Sequence, residues 1–492
     1  MSNKKFITAS LPYSNGNAHI GHMFEFIIGD VISRYFRKKL GDKNVFFNIG
    51  LDEHGKKIQD AADSLGLTTI QYLDKNEIKW REFCHKFDIK FDNFYRTSDY
   101  PHYSKVQQFW VKLYNKGLIY EKDYTSKYCV GCESFKLDKD LENGKCPDHL
   151  NLEVSIVSEN NYFFKLSEFK YDLEKLFNDD DNILVPASKK QEVLNVIEEL
   201  QDISISRHRD SVSWGVPVPF SKDQIVYVWM DALCNYIFAA GYLSTDMCFE
   251  DWWEDTVQIF GPDNLKFQAV IFQGLLSAAD IKNTGKLLCH GTILDKDGRK
   301  MSKTVGNVID PIDQFNKYGL DAVKYYSVAG LNIYNNSSWD EEQLVSVYNS
   351  HLADDYGNLL SRVVTLVSRG LKDNELICDL SIVCNHSLVI ENQICVLLRQ
   401  QISEIKELWD EYRITEALIE MNKILKWCNK YMNDKKPWNK IDSWWITLME
   451  LHYILCLITD LYSPVFPDKS KEALDSLYNH KKIILFPKIE TK

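Results

Sequence analysis

Apolar positions change their period twice within the first fifty residues. Phe6-Ile-Thr-Ala-Ser-Leu11 is a short run of the buried-strand kind. Pro12 to Ala18 is turn-rich, with Ser14, Asn15, Gly16 and Asn17. From about Ile20 to Leu40, Met23, Phe24, Phe26, Ile27, Ile28, Val31, Ile32 and Phe36 recur at helical spacing, and Val45 to Leu51 is a second strand. Strand, loop, helix, strand predicts a βαβ unit and hence a parallel sheet.

From about Leu118 to Pro219 the rhythm breaks into cysteines, polar turns and short β-rich pieces such as Tyr162-Phe-Phe-Lys-Leu, which reads as an insertion. The α/β pattern returns with Ile225-Val-Tyr-Val-Trp229, then Val257-Gln-Ile-Phe260, then a helix from about Leu265 to Ala279. Asp295 to Pro311 is a loop rich in glycine and lysine. Beyond about Asp340 the pattern is almost wholly helical, as in a helical bundle. The expected organisation is a Rossmann-type α/β sheet in two halves, 1–117 and 225–290, interrupted by a connective domain at 118–224. A lysine-loop region at 291–340 and a helical domain at 341–492 follow.

The length of 492 residues fits about three domains. A net charge of −12 argues against broad, charge-driven nucleic-acid binding but leaves room for a structured RNA read by shape and base edges. The N-terminus lacks an apolar signal core, and the most apolar stretch, Leu448 to Leu461, is interrupted by Glu450, His452 and Asp460. The expectation is a cytoplasmic protein with no membrane span and with mostly buried, reduced cysteines. One cysteine cluster stands apart. Cys129-Val-Gly-Cys132 and Cys146-Pro-Asp-His149 are two chelating pairs with knuckle spacing, which predicts a closed, structural Zn2+ site. His102 in place of His149, or an empty site, are the alternatives.

Two distant motifs carry the chemistry. His19-Ile-Gly-His22 lies where a strand's exit loop enters a helix, a setting suited to phosphate, with Gly21 permitting close approach. Imidazoles in this place can stabilise charge growing on a phosphate. Lys300-Met-Ser-Lys-Thr304 lies between Gly298 and Gly306, so that Lys300, Ser302 and Lys303 ride on a loop able to close on a nucleotide. Together these motifs resemble the paired HIGH and KMSKS sequences of the class I aminoacyl-tRNA synthetases, with Thr304 as a mild departure at the last position. The resemblance implies one ATP site on a Rossmann-type sheet. His19, His22, Lys300 and Lys303 would be catalytic, and Gly21, Glu25, Gly261, Asp263 and Ser302 would help bind Mg2+-loaded ATP.

Further blocks resemble the methionyl branch of that family: Ser10-Leu-Pro-Tyr-Ser-Asn-Gly-Asn-Ala-His19, Leu51-Asp-Glu-His-Gly55, Tyr227-Val-Trp-Met-Asp-Ala232 with Tyr236, Asn358-Leu-Leu-Ser-Arg362 and Pro437-Trp438. They imply L-methionine and tRNA(Met) as substrates. Ser10, Leu11, Tyr13, Trp229, Ala232 and Tyr236 would line an apolar, aromatic slot for the polarizable thioether, and Asp52 would receive the ammonium group. Gln268 stands where many relatives carry histidine, and it keeps both a donor and an acceptor near the side chain. Arg207 resembles an arginine near the family's active site. Trp438 is the expected stacking platform for an anticodon base. Asn358 and Arg362, four apart on one helix face, would read base edges. The chain shows no further dimerisation or tRNA-binding module after the helices, so a monomer is expected. Two other readings fit parts of the sequence: a cysteinyl-type synthetase, and a zinc-containing tRNA-binding protein without catalysis.

Overall fold

The computed structural model describes residues 3–129, 134–136, 138, 141–147, 152–301, 306–372, 393–441 and 444–490. Its contacts divide the chain into two compact units. One comprises Met1–Ala18 with Asp42–His290, the other His19–Gly41 with Gly291–Lys492.

The first unit is built on a six-stranded sheet. Its strands are β1 (Lys5–Ala9), β2 (Val45–Leu51), β3 (Asn93–Arg96), β7 (Leu184–Val185), β11 (Thr256–Phe260) and β12 (Lys286–Cys289), in the order β3-β2-β1-β11-β12-β7 with every pair parallel. β1 and β11 are buried at every position, as expected of strands covered on both faces. The order reverses at β1, whose neighbours β2 and β11 lead off in opposite directions. Ligands of open α/β sheets bind at the carboxyl ends of strands beside such a switch point.

The inserted stretch folds largely as a four-stranded antiparallel sheet of β4 (Ile119–Cys129), β5 (Ser134–Lys136), β6 (Ser155–Phe164) and β8 (Ile203–Ser204), in the order β5-β4-β6-β8. Its backbone is a ladder from Ile119↔Phe164 to Tyr128↔Ser155. Two features differ from the sequence reading. Leu184–Val185, inside the insertion, returns to the main sheet as its edge strand beside β12. Ile225–Trp229 is not a core strand: only Gln224–Val226 is extended (β10), and it pairs antiparallel with β9 (Ser206–His208). Trp229 instead sits in the first turn of the helix Val228–Ala239. The apolar run there is buried by a helix rather than by a sheet, a choice that a short apolar run does not encode.

The second unit collects the helix Ile20–Leu40 with the C-terminal helices, among them Leu359–Lys372, Gln393–Asp410, Ile414–Lys435, Trp444–Tyr462 and Pro467–Asn479. Ile20–Leu40 is anchored by a buried carboxylate. Asp30 accepts two 2.8 Å bonds from Arg34 and lies 3.1 Å from the Lys324 ammonium. Further along, Tyr35 stacks on Trp409 and donates to Asp410, which Lys39 also meets at 2.6 Å. Trp444–Tyr462 is long and apolar enough to cross a membrane, but 72% of it is buried inside the fold, as in a core helix.

Candidate active site

Each unit contributes candidate residues. In the second, His19 is the N-cap of Ile20–Leu40. Its Nδ1 accepts from the backbone N–H of Gly21 (3.1 Å) and of His22 (3.4 Å), while the His19 N–H donates to His22 Nδ1 at 3.2 Å. The two rings stack with centroids 3.5 Å apart. Because both Nδ1 atoms accept, each neutral ring carries its proton on Nε2. The helix start is therefore not the bare set of backbone donors that the sequence suggested. The first N–H groups are capped by the imidazole, and an anion would meet ring Nε2–H donors instead. Gly21 has a second reason to be glycine, since a Cβ there would lie 3.0 Å from the His19 ring. Glu25, one turn on, is buried.

The lysine loop belongs to the same unit. It leaves the strand Ile293–Leu294, which pairs in parallel with Ser337–Ser338, and its base is pinned by Asp295. That carboxylate accepts from the N–H groups of Asp297 (3.0 Å) and Arg299 (2.8 Å), from Arg299 Nε (2.9 Å) and from Asn307 Nδ2 (2.8 Å). The bonds from Asn307 and Arg299 hold its carboxyl well below the usual carboxylate range. Both arms of the loop are thus tied to one residue, with Gly298 (φ 78°) and Gly306 (φ 73°) supplying left-handed turns. Lys300 is exposed just beyond the first arm. Ser302 and Lys303 lie outside the described residues.

In the first unit, the candidates gather at the carboxyl ends of β1, β2 and β11. The loop after β1 is locked to the end of β2. The Asp52 N–H donates to Pro12 O, the Ser14 N–H donates to Asp52 O, and Tyr13 and Asp52 form an isolated parallel bridge. Asp52 is buried and its carboxylate faces the His54 N–H at 3.5 Å. Ser10 is held to β11 through a bond from its N–H to Ile259 O, and Asn264 Nδ2 reaches Ser10 Oγ at 3.4 Å. Leu11 is half-buried between Ser10 and Pro12. Gly261 opens the turn after β11 with Asp263 two residues on, and a Cβ at Gly261 would lie 3.2 Å from the His290 ring.

Three of the residues expected to line the slot lie on the helix Val228–Ala239. Trp229, Ala232 and Tyr236 share one face of it. Trp229 lies flat on Phe267 (centroids 3.9 Å apart, 10° between planes), a partner that the sequence reading missed although it adjoins Gln268. Gln268, in the π-helical turn Lys266–Ile271, is buried. Its Nε2 donates to Tyr236 Oη at 2.5 Å and its Oε1 accepts from Gln258 at 2.7 Å. Gln268 therefore links Tyr236 to Gln258, with its amide donating to the one and its oxygen accepting from the other.

A buried cluster joins the helix Val228–Ala239 to the Asp52 turn. Asp231 Oδ2 meets His54 Nδ1 at 3.1 Å, His54 Nε2 meets the Tyr103 hydroxyl at 2.9 Å, and His102 Nε2 faces Asp231 Oδ1 at 3.7 Å. Burial pushes the Asp231 carboxyl up, but the two imidazoles outweigh it and hold the group below its usual range; burial also lowers the pKa of His102. The Nδ1 of His102, the residue offered as an alternative zinc ligand, meets the Tyr95 hydroxyl at 2.9 Å. No sequence signal pairs Asp231 with His54 and His102, which come from three separate elements. Arg207 is likewise internal: it is buried, lies 3.9 Å over the Tyr227 ring and donates to Ser204 Oγ and Ser206 O.

Of the cysteine cluster, Cys129 ends β4 and Cys146 follows the bridge Glu142↔Lys145. Both thiols are fully buried, while Cys132 and His149 lie outside the described residues. Of the RNA candidates, the Arg362 guanidinium lies 5.6 Å over the ring of Trp438 and donates to Asn433 Oδ1 at 2.9 Å. Trp438 remains 42% exposed. Asn358 is exposed at the end of the π-helical segment Tyr348–Asn358, one turn before Arg362.

Residues 5–154 and 149–364 match the family of class I tRNA synthetases (M). A methionine–tRNA ligase of Ureaplasma parvum is 33% identical over 96% of this chain and 92% of its own length, and one of Caldanaerobacter subterraneus is 33% identical over 96% and 73%. Among solved structures, the Mycobacterium tuberculosis methionyl-tRNA synthetase in complex with methionyl-adenylate superposes with a TM-score of 0.85 at 28% identity, covering 96% of this chain and 93% of that one.

Proposed function

Because the chain belongs to the methionyl family of class I tRNA synthetases, we infer that it activates L-methionine with ATP and transfers the methionyl group to tRNA(Met), releasing AMP and pyrophosphate. The observation that carries the amino-acid assignment is the stacking of Trp229 on Phe267, beside Tyr236 on a helix tied through Asp231 and His54 to the turn that holds Asp52. An unbranched thioether suits such an aromatic slab. Asp52 receives the substrate ammonium, with Ser10, Leu11, Tyr13 and Ala232 completing the slot.

The reaction has two steps. Methionine's carboxylate attacks the α-phosphate in line, and pyrophosphate leaves. A terminal ribose hydroxyl of the tRNA then attacks the acyl carbon and AMP leaves. His19, His22, Lys300 and Lys303 are the residues assigned to the growing phosphate charge, the two histidines through their Nε2–H groups. Donors already fixed in orientation need no reorganisation at that moment. Gly261 and Asp263 take the adenosine and its ribose, and Mg2+ enters with ATP as substrate. Zn2+ is assigned a structural role: the buried thiols of Cys129 and Cys146 suit a thiolate-rich shell, with Cys132 and His149 as the other two ligands of the paired spacing. Trp438, Arg362 and Asn358 receive the anticodon, and the protein acts as a cytoplasmic monomer.

The test is amino-acid-dependent exchange of pyrophosphate into ATP. Methionine supports exchange, cysteine does not, and Lys303→Ala removes most of it. Exchange with cysteine alone would favour a cysteinyl enzyme, and exchange with neither would favour a tRNA-binding protein without catalysis. At the RNA end, Trp438→Ala raises the KM for tRNA(Met) in aminoacylation about ten-fold, the scale of one lost base stack. An unchanged KM would remove Trp438 from anticodon recognition.

A further inference from the structure

Lys300 is the last residue of a tight hairpin. The Asp295 N–H donates to Arg299 O at 2.9 Å, the Gly298 N–H donates to Asp295 O at 2.9 Å, and Leu294 and Lys300 form an isolated antiparallel bridge. The foot of the hairpin is fixed in turn, because the Trp339 N–H donates to Leu294 O at 2.9 Å. Arg299 is folded back on the hairpin: its Nε donates to Asp295 Oδ2 at 2.9 Å and its Nη2 to Asp297 Oδ2 at 2.8 Å. The charge beside Lys300 is thereby paired within the turn, while Lys300 itself is exposed.

The chain returning from the loop holds the other side of Lys300. Asn307 Nδ2 donates to Asp295 Oδ2 at 2.8 Å and to Lys300 O at 3.3 Å, and the Ile309 N–H donates to Met301 Sδ at 3.5 Å. A carboxylate only accepts, so Asp295 obliges Asn307 to turn its nitrogen inward. That nitrogen has two N–H groups, one for each acceptor.

We propose that Asn307, oriented by Asp295, is a positioning residue for Lys300: it holds the lysine's own peptide and so sets where the ammonium stands when ATP is bound. The inference rests on the synthetase reading above, in which Lys300 meets phosphate. A lysine is a point charge on a flexible stem, so what the fold can fix before the nucleotide arrives is the backbone end. Charge placed beforehand stabilises a developing negative charge without reorganisation. The amide of Asn307 acts on the reaction only through Lys300, which separates it from a residue that merely stabilises the turn.

The experiment is a double-mutant cycle on the full chain. It reads kcat and KM for methionine in pyrophosphate exchange, with kcat taken per active site counted from the burst of adenylate formation, so that loss of folded protein cancels. Asn307→Ala lowers kcat about ten-fold, within the 10²-fold that a misplacement of about 1 Å can cost, and leaves the KM for methionine at its native value. Asn307→Asp, which keeps the shape but has no donor, loses at least as much. In a Lys300→Ala background Asn307→Ala has no further effect, because two residues acting through one group are not additive. An equal loss from Asn307→Ala with and without the lysine overturns the proposal, as does a kcat unchanged by both Asn307 variants or a loss carried by the KM for methionine. Absence of methionine-dependent exchange in the native protein overturns the synthetase reading instead.

Discussion

His19→Asn lowers the rate of methionine-dependent pyrophosphate exchange by about 10²-fold or more, the usual consequence of deleting one fixed donor to a charged transition state, while the fold keeps its stability. The two roles of His19 make this separation possible. Its Nδ1 caps the helix Ile20–Leu40 by accepting from Gly21 and His22, and its Nε2–H is the donor assigned to phosphate. Asparagine can take over the cap, because its side-chain oxygen reaches the same N–H groups. It has no donor at the position of Nε2. His19→Ala loses both functions, and denaturation should record a further loss of about 1 kcal/mol. The effect falls on kcat more than on the KM for ATP, because the interaction strengthens as charge develops. Exchange by His19→Asn at a tenth or more of the native rate would contradict this assignment.

Gly50→Ala costs about 3 kcal/mol or more of stability, in the range of the most disruptive single substitutions. Gly50 is in β2, paired with Tyr95 of β3, and a Cβ there would lie 2.0 Å from the Tyr95 carbonyl oxygen. The obstacle is backbone within a parallel sheet, so no side-chain rotation relieves it. Relief requires the two strands to part, and both ends of that movement matter. Asp52 is two residues beyond Gly50, and the hydroxyl of Tyr95 bonds His102 in the cluster behind the slot. Any protein that folds should therefore show a raised KM for methionine as well as a lower denaturation midpoint. A native midpoint would mean that the β2–β3 pair can open at little cost.

The helix Ile20–Leu40 and the strand Val45–Leu51 were readable in the sequence, because their signals are local: a 3.6-residue apolar period in one and a short apolar run in the other. His19 and His22 were readable as a motif, but not their mutual capping. That depends on imidazoles reaching the first N–H groups of their own helix. Trp229 was expected in the slot, yet on a strand. Phe267 beneath it, and the bond from Gln258 to Gln268 behind Tyr236, carried no signal, since a glutamine in a buried strand has the same local pattern whatever it bonds.

What the sequence determined by itself is the set of parts: a parallel α/β unit, the His19–His22 and Lys300–Thr304 motifs, paired cysteines and a helical C-terminal region, all legible from residue type and spacing along the chain. The tertiary structure alone decided the partners. It placed Leu184–Val185 at the edge of the main sheet, grouped Ile20–Leu40 with the C-terminal helices and gave Asp231 its two histidines. Periodicity records which face of an element is buried, but burial is non-directional, and the hydrogen bonds and ion pairs that select one neighbour over another form only when distant segments meet.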